Sequence, residues 1–154
     1  EERRLARAEL KRLFGQVVLQ VGGKAGFPLI ANSLAPIKFH VVFGGDVSKP
    51  SHCPIVLAED NLLPFPNDSV DILVLQHSLD ISAHPHHVLR EAERILRPGG
   101  RLLLFGFNRT SSWGLRKLLT TPLDSLLPWK ARFMRRTQIE DWCRLLNLLP
   151  ELSR

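Results

Sequence analysis

The chain has no tyrosine, a single methionine, only two cysteines and no long apolar run. Each scarcity removes a class of protein. Spanning a bilayer takes about 20 consecutive apolar residues, and no stretch approaches that length. Cys53 and Cys143 stand far apart without metal-ligand spacing, so no zinc site or disulfide framework is encoded. Two structural thiols in a reducing cytoplasmic compartment are the expectation. Aromatic residues make up 7% of the chain, few for stacking bases, which argues against a nucleic-acid reader. Low-complexity tracts and internal repeats are missing too. The opening "EERRLARAELKRLFG" is punctuated by charge, unlike a secretory signal. Its Leu5, Leu10 and Leu13–Phe14 suit an amphipathic helix ended by Gly15.

What remains is 154 residues, 44% hydrophobic, enough for one sizeable core and hence one globular domain over 1–154. The net charge of +6 is concentrated. Residues 1–108 hold 12 basic and 11 acidic side chains, residues 109–136 hold 7 and 1, and the tail is net −1. The segment 109–136 is therefore either a solvated cationic stretch or a site for an anionic partner or membrane surface. Its Trp113, Leu115, Leu118, Leu119 and Trp129 could pack a connecting helix or cover an apolar substrate.

Along the chain, "QVVLQV" reads as a buried strand running into the glycine-rich "GGKAG". "FPLIANSLA" is apolar enough for a helix with Pro28 in its first turn. "KFHVVFGG" and "PIVLAE" are two more strands, and "SVDILVLQHSL" a fourth, entered from the turn "PFPNDS". In "HPHHVLREAERILRPGG", Val88, Leu89, Ala92, Ile95 and Leu96 share one helical face and "PGG" stops the helix. "RLLLFGFN" is a fifth strand. "TQIEDWCRLLNLL" is a last helix, Thr137 its N-cap and Glu140 completing a capping box, with Ile139, Trp142, Leu145 and Leu146 facing the core.

Strands alternating with helices imply a parallel sheet covered on both faces, whose ligand site lies beyond the carboxyl ends of the strands. That edge gathers Gly22–Gly26, Gly45–Asp46, Glu59–Asp60, Gln76–His77 and Gly106–Asn108. His77 could serve as a general base with Asp80 orienting it, or be a strand-end histidine satisfied by backbone. His84, His86 and His87 sit at a helix start, where neighbouring residues diverge, so no metal is expected there.

The block "AEDNLLPFPNDSVDILVLQHSLDISAHPHHVLREAERILRPGGRLLLFGFN" resembles the middle of class I S-adenosylmethionine-dependent methyltransferases of the methyltransferase type 11 group. "LFGQVVLQVG" and "GFNRTSSWGLRKLL" further resemble a poorly characterised bacterial branch of it. The likeness runs over roughly residues 13–147. It implies an α/β fold, a Rossmann-like doubly wound, mostly parallel sheet of about five strands. This is the seven-strand methyltransferase fold lacking its last strands, as though shortened at the C-terminus. It implies S-adenosyl-L-methionine as cofactor, held by Gly22, Gly23, Gly26, Asp46, Glu59, Asp60 and Gln76. His77 is the candidate catalytic residue. Gly22, Gly23 and Gly26 would bring bare main chain against the cofactor. Asp46 would accept from the ribose hydroxyls, Glu59 and the Asp60 amide would meet the adenine, and Gln76 and His77 would open toward the methyl group.

Three departures stand beside the likeness. Gln20 replaces the acid two residues before the first glycine, Lys24 replaces a further glycine, and "VSKPSHCP" is too short for the usual helix. The expected function is methyl transfer to a small or lipid-like acceptor by in-line attack, which needs mostly alignment. The alternatives are an inactive methyltransferase-fold scaffold and, third, RNA binding or RNA methylation through residues 109–136.

Overall fold

The computed structural model describes residues 2–24, 28–43, 53–59, 62–106, 136–146 and 148. In chain order they form α1 (Glu2–Leu10), β1 (Val17–Gly22), a 3-10 turn (Leu29–Asn32), β2 (Ile37–Val42) and β3 (Ile55–Leu57). Then come β4 (Val70–Gln76), α2 (Ser78–Ile81), α3 (Pro85–Ile95), β5 (Leu96–Phe105) and α4 (Arg136–Leu145). The five strands make one sheet in the order β3-β2-β1-β4-β5, every pairing parallel. The order reverses between β1 and β4, and the cleft beyond their carboxyl ends is where a doubly wound sheet takes its ligand.

Alternation along the strands sends side chains to two separate cores. Leu19, Val21, Leu73 and Leu75 pack with Val88, Leu89, Ala92 and Ile95 of α3 and Cys143 of α4. Val18, Ile72 and Val74 pack with Ala6 and Leu10 of α1 and Leu29 and Ile30 of the 3-10 turn. Fully burying a Leu, Ile or Val side chain contributes about 1.5–3 kcal/mol, so covering both faces fixes the register of β1 and β4. Both thiols are buried, and burial pushes each above its ordinary pKa, which keeps them protonated and unreactive.

Two sequence expectations are corrected. The apolar stretch after Pro28 yields one 3-10 turn instead of a helix. Ser33 leaves helical geometry (φ −63°, ψ 148°) and its Oγ accepts from the Ala35 amide at 3.2 Å, and Pro36 disfavours a helical residue before it. On α4, Leu145 is 81% exposed while Cys143 is buried; the core face runs through Ile139, Trp142, Cys143 and Leu146. Smaller shifts occur at element ends. β4 stops at Gln76, so His77 and Ser78 leave the strand, and α4 starts at Arg136, which puts Thr137 inside its first turn.

The "LPFPND" and "LREAERILRPGG" passages are one clamp. Arg94 donates to Glu91 (2.7 and 2.8 Å), to the carbonyls of Leu63 (3.0 Å) and Phe65 (2.9 Å), and to Asn67 Oδ1 (2.8 Å). Glu91 also accepts from the Leu63 amide at 2.8 Å; its bonds to Arg94 outweigh burial and hold its carboxyl below the usual range. Between the rungs Val70↔Leu96 and Ile72↔Arg101, residues 97–100 loop out of the ladder. There Arg97 donates to the Asp68 carbonyl (3.0 Å) and to Asp71 (2.8 Å), and Asp71 accepts from the amides of Gln16 (2.8 Å) and Val17 (2.9 Å). Burial opposes ionisation of Asp71, but these donors prevail and depress its pKa. The residues that carry the family likeness most strongly therefore join the elements at the end of the sheet away from the ligand cleft.

Candidate active site

Gly22 and Gly23 end β1 with φ of +85° and +79°, a region in which side-chain-bearing residues are strained. A Cβ on Gly22 would strike the Gln76 carbonyl and lie 2.5 Å from Ser78 Oγ; one on Gly23 would strike Gln76 Oε1. The turn is thus pressed against the end of β4, and only bare main chain fits. Lys24 follows it with its side chain exposed.

A line of polar side chains crosses this edge. Gln20 is 0% exposed. Its Oε1 accepts from the amides of Leu29 (2.6 Å) and Ile30 (3.4 Å), which settles the amide's orientation. Its Nε2 then donates to Gln76 Oε1 (2.9 Å) and to the Gly22 carbonyl (3.3 Å). Gln76 Nε2 donates to Glu2 of α1 at 3.1 Å. The other oxygen of Glu2 meets His77 Nε2 at 2.9 Å, and His77 Nδ1 lies 3.5 Å from the buried Asp80. His40, buried on β2, donates from Nε2 to the Gly22 carbonyl at 2.8 Å. Burial lowers its pKa and the bond to Gly22 only partly offsets this, so it stays neutral. Sequence reading names Gln20 only as a departure and misses Glu2 and His40 altogether. Nothing local marks them, for their partners lie 74 and 18 residues away.

His77 itself has φ +54° and ψ +11°. It is held there by its amide on the Phe105 carbonyl (2.8 Å) and its own carbonyl on the Ile81 amide (3.2 Å). A left-handed non-glycine residue costs about 1–3 kcal/mol and is characteristic of functional sites. Burial works against the imidazolium, but Asp80 and Glu2 outweigh it and raise the His77 pKa above its ordinary value. Because the folded pKa exceeds the unfolded one of about 6.5, this contribution to stability is complete below that pH. It is lost as pH rises through the raised value. Melting curves should accordingly show wild type falling toward Glu2→Gln as pH climbs above neutrality, with the widest gap at pH 6 or below. A gap that grows with pH would contradict the assignment.

Of the remaining candidates, Glu59 is exposed just past β3, and its carbonyl accepts from the Leu62 amide at 3.3 Å. Gly26, Asp46, Asp60 and the basic segment 109–136 lie outside the described residues. Among the described residues no group of three potential metal ligands occurs. His84 and His87 face each other with centroids 5.4 Å apart, and His86 packs on Trp142 at 3.6 Å.

A sequence model described as a methyltransferase domain matches residues 30–104. The chain is thus similar to methyltransferase domains over just under half of its length. A SAM-dependent methyltransferase of Thermotoga maritima superposes with a TM-score of 0.71 at 19% identity, covering 94% of this chain and 70% of that one. The uncharacterised protein YafS of Escherichia coli K12 is 41% identical over 95 residues, 61% of this chain and 39% of YafS. The ubiquinone/menaquinone biosynthesis C-methyltransferase UbiE of Pseudomonas paraeruginosa is 37% identical over 73 residues, 47% of this chain and 28% of UbiE. The chain thus spans less than half the length of these two curated relatives. The family and fold imply S-adenosylmethionine as cofactor. The turn Gly22–Gly23 lies at the carboxyl end of β1, where a sheet of this kind takes its ligand, with its glycines packed against Gln76 and Ser78.

Proposed function

We propose that the domain transfers a methyl group from S-adenosylmethionine to a small, lipid-like acceptor. The observation that carries this reading is the polar line Gln20–Gln76–Glu2–His77 running from the glycine turn along the carboxyl edge of the sheet. The bound cofactor would supply a sulfonium methyl, electrophilic without further activation. Gly22, Gly23 and Gly26 would let main chain approach it, Asp46 would accept from the ribose, and Glu59 with the Asp60 amide would meet the adenine. Gln76 would hold the turn against β4, while His77 would face the acceptor. Burial disfavours the charged ring, but Asp80 and Glu2 raise the His77 pKa, and to polarise an acceptor or take its proton His77 would have to give up its contact with Glu2 at Nε2. The lipid-like acceptor class is supported by the likeness to UbiE, named for quinone biosynthesis.

S-adenosylhomocysteine tests the cofactor site by mass action on the native state. At about 100 times its dissociation constant it should add about 2.7 kcal/mol. That is a rise in melting temperature of roughly 5–10 °C for a domain of this size. Asp46→Ala should remove most of that rise. No shift at millimolar ligand would leave the inactive scaffold as the better description.

A further inference from the structure

The cations outside residues 109–136 are gathered too. Along α1 and the turn that continues it, Arg4, Arg7, Ala8 and Lys11 follow the i, i+3, i+4, i+7 spacing of one face, all exposed, and the Lys11 amide still donates to the Arg7 carbonyl at 3.3 Å. That face is opposite the Ala6–Leu10 stripe buried on the sheet. At its foot Arg12 joins Arg97, Arg101, Leu13, Phe14 and Asp71 around an open cavity of about 360 Å³. Asp71, the cavity's acid, is already bound to Arg97 and two main-chain amides. Beside these guanidinium groups stands Phe14, 87% exposed. A solvated cationic helix needs no exposed aromatic ring at its end. The apolar face of α1 is spent on the sheet, so what it offers a bilayer is charge: a run of cations attracts anionic headgroups, and Phe14 beyond the helix end is placed to enter the acyl boundary.

We propose that the outer face of α1 and the arginine cavity at its foot are a docking surface for an anionic phospholipid bilayer. A headgroup phosphate occupies the cavity beside Arg12, Arg97 and Arg101, and Phe14 enters the interface. Among the described residues no helix is long and apolar enough to cross a membrane. The contact does not depend on cofactor binding. The two readings meet at Glu2, because the opposite end of the same helix reaches Gln76 and His77.

Co-sedimentation of the full 154-residue chain with vesicles decides it. The chain should pellet with equal parts phosphatidylcholine and phosphatidylglycerol, stay in solution with phosphatidylcholine alone, and be released by salt. Arg4→Glu, Arg7→Glu and Lys11→Glu combined should lower partitioning by about a hundredfold or more, and Phe14→Ala by about tenfold. Thermal melts check that the variants fold; should the triple variant unfold, Phe14→Ala and the salt titration carry the test. Equal binding by wild type and Phe14→Ala, or no preference for the anionic vesicles, overturns the proposal. So does binding of inorganic phosphate without partitioning onto the anionic vesicles, which marks a soluble-phosphate site. RNA retention on filters without vesicle binding overturns it as well.

Discussion

Gly22→Ala is expected to destabilise the protein by about 4 kcal/mol and to abolish cofactor-induced stabilisation. Two costs add. At φ +85° a side chain costs about 1–3 kcal/mol. The new Cβ also meets the Gln76 carbonyl and Ser78 Oγ, and overpacking costs about 1–3 kcal/mol more. Neither neighbour can give way easily. Gln76 ends a strand paired on both sides, and Ser78 Oγ donates to the Val21 carbonyl at 2.7 Å. Gly99 is the control. Its φ is +79°, yet nothing lies within 4 Å of the position a Cβ would take, so Gly99→Ala should cost only the conformational part. The melting temperature should drop by roughly 10 °C for Gly22→Ala and by about half of that for Gly99→Ala. Equal drops would mean the close approach to β4 is wrong.

Gln20→Glu, which restores the carboxylate usual at this point of the family's loop, should harm the protein. A carboxylate would keep the bonds from Leu29 and Ile30 but lose both donors of the amide. One of its oxygens would then face the Gln76 oxygen at about 2.9 Å and the Gly22 carbonyl, with His40 Nε2, 3.3 Å away, already given to Gly22. Turning Gln76 over only moves the conflict to Glu2, which needs its donor. An unsatisfied buried group costs about 1–3 kcal/mol, and more if charged, so a loss of about 3 kcal/mol is expected at pH 8. The acid escapes by staying protonated, which raises its folded pKa above the unfolded one. Its deficit should therefore shrink toward pH 5, while stabilisation by S-adenosylhomocysteine should be weaker than in wild type, never stronger. A tighter cofactor complex in the variant would show that the glutamine is a defect instead of a fitted part.

That second case shows where sequence reading stops. β1 and β4 were legible as short, continuous apolar runs, as strands buried on both faces must be, and α3 because Val88, Leu89, Ala92 and Ile95 recur on one helical face. The stretch after Pro28 misled because its apolar content suits a helix as well as a turn. There Ser33 and Pro36, not hydrophobicity, decide the outcome. Gln20 read as a loss from the loop because its worth lies in being donor and acceptor at once. That is visible only when Leu29, Gln76 and Gly22 surround it. The "LREAER" passage pointed to the family whose model matches residues 30–104, yet Glu91 and Arg94 hold a loop at the far end of the sheet.

The order β3-β2-β1-β4-β5 also sets a timetable for synthesis. β1 finds β2 early, but its other neighbour begins more than fifty residues later, as the 54-residue separation of Val17 and Asp71 records. At about 5–20 residues per second on the ribosome, that interval is roughly 3–10 s. Throughout it one edge of β1 stays open, inviting association with other nascent chains. β4 closes that edge and β5 then covers β4, so premature termination before residue 77 would release a polypeptide with the edge of β1 unpaired and prone to aggregate.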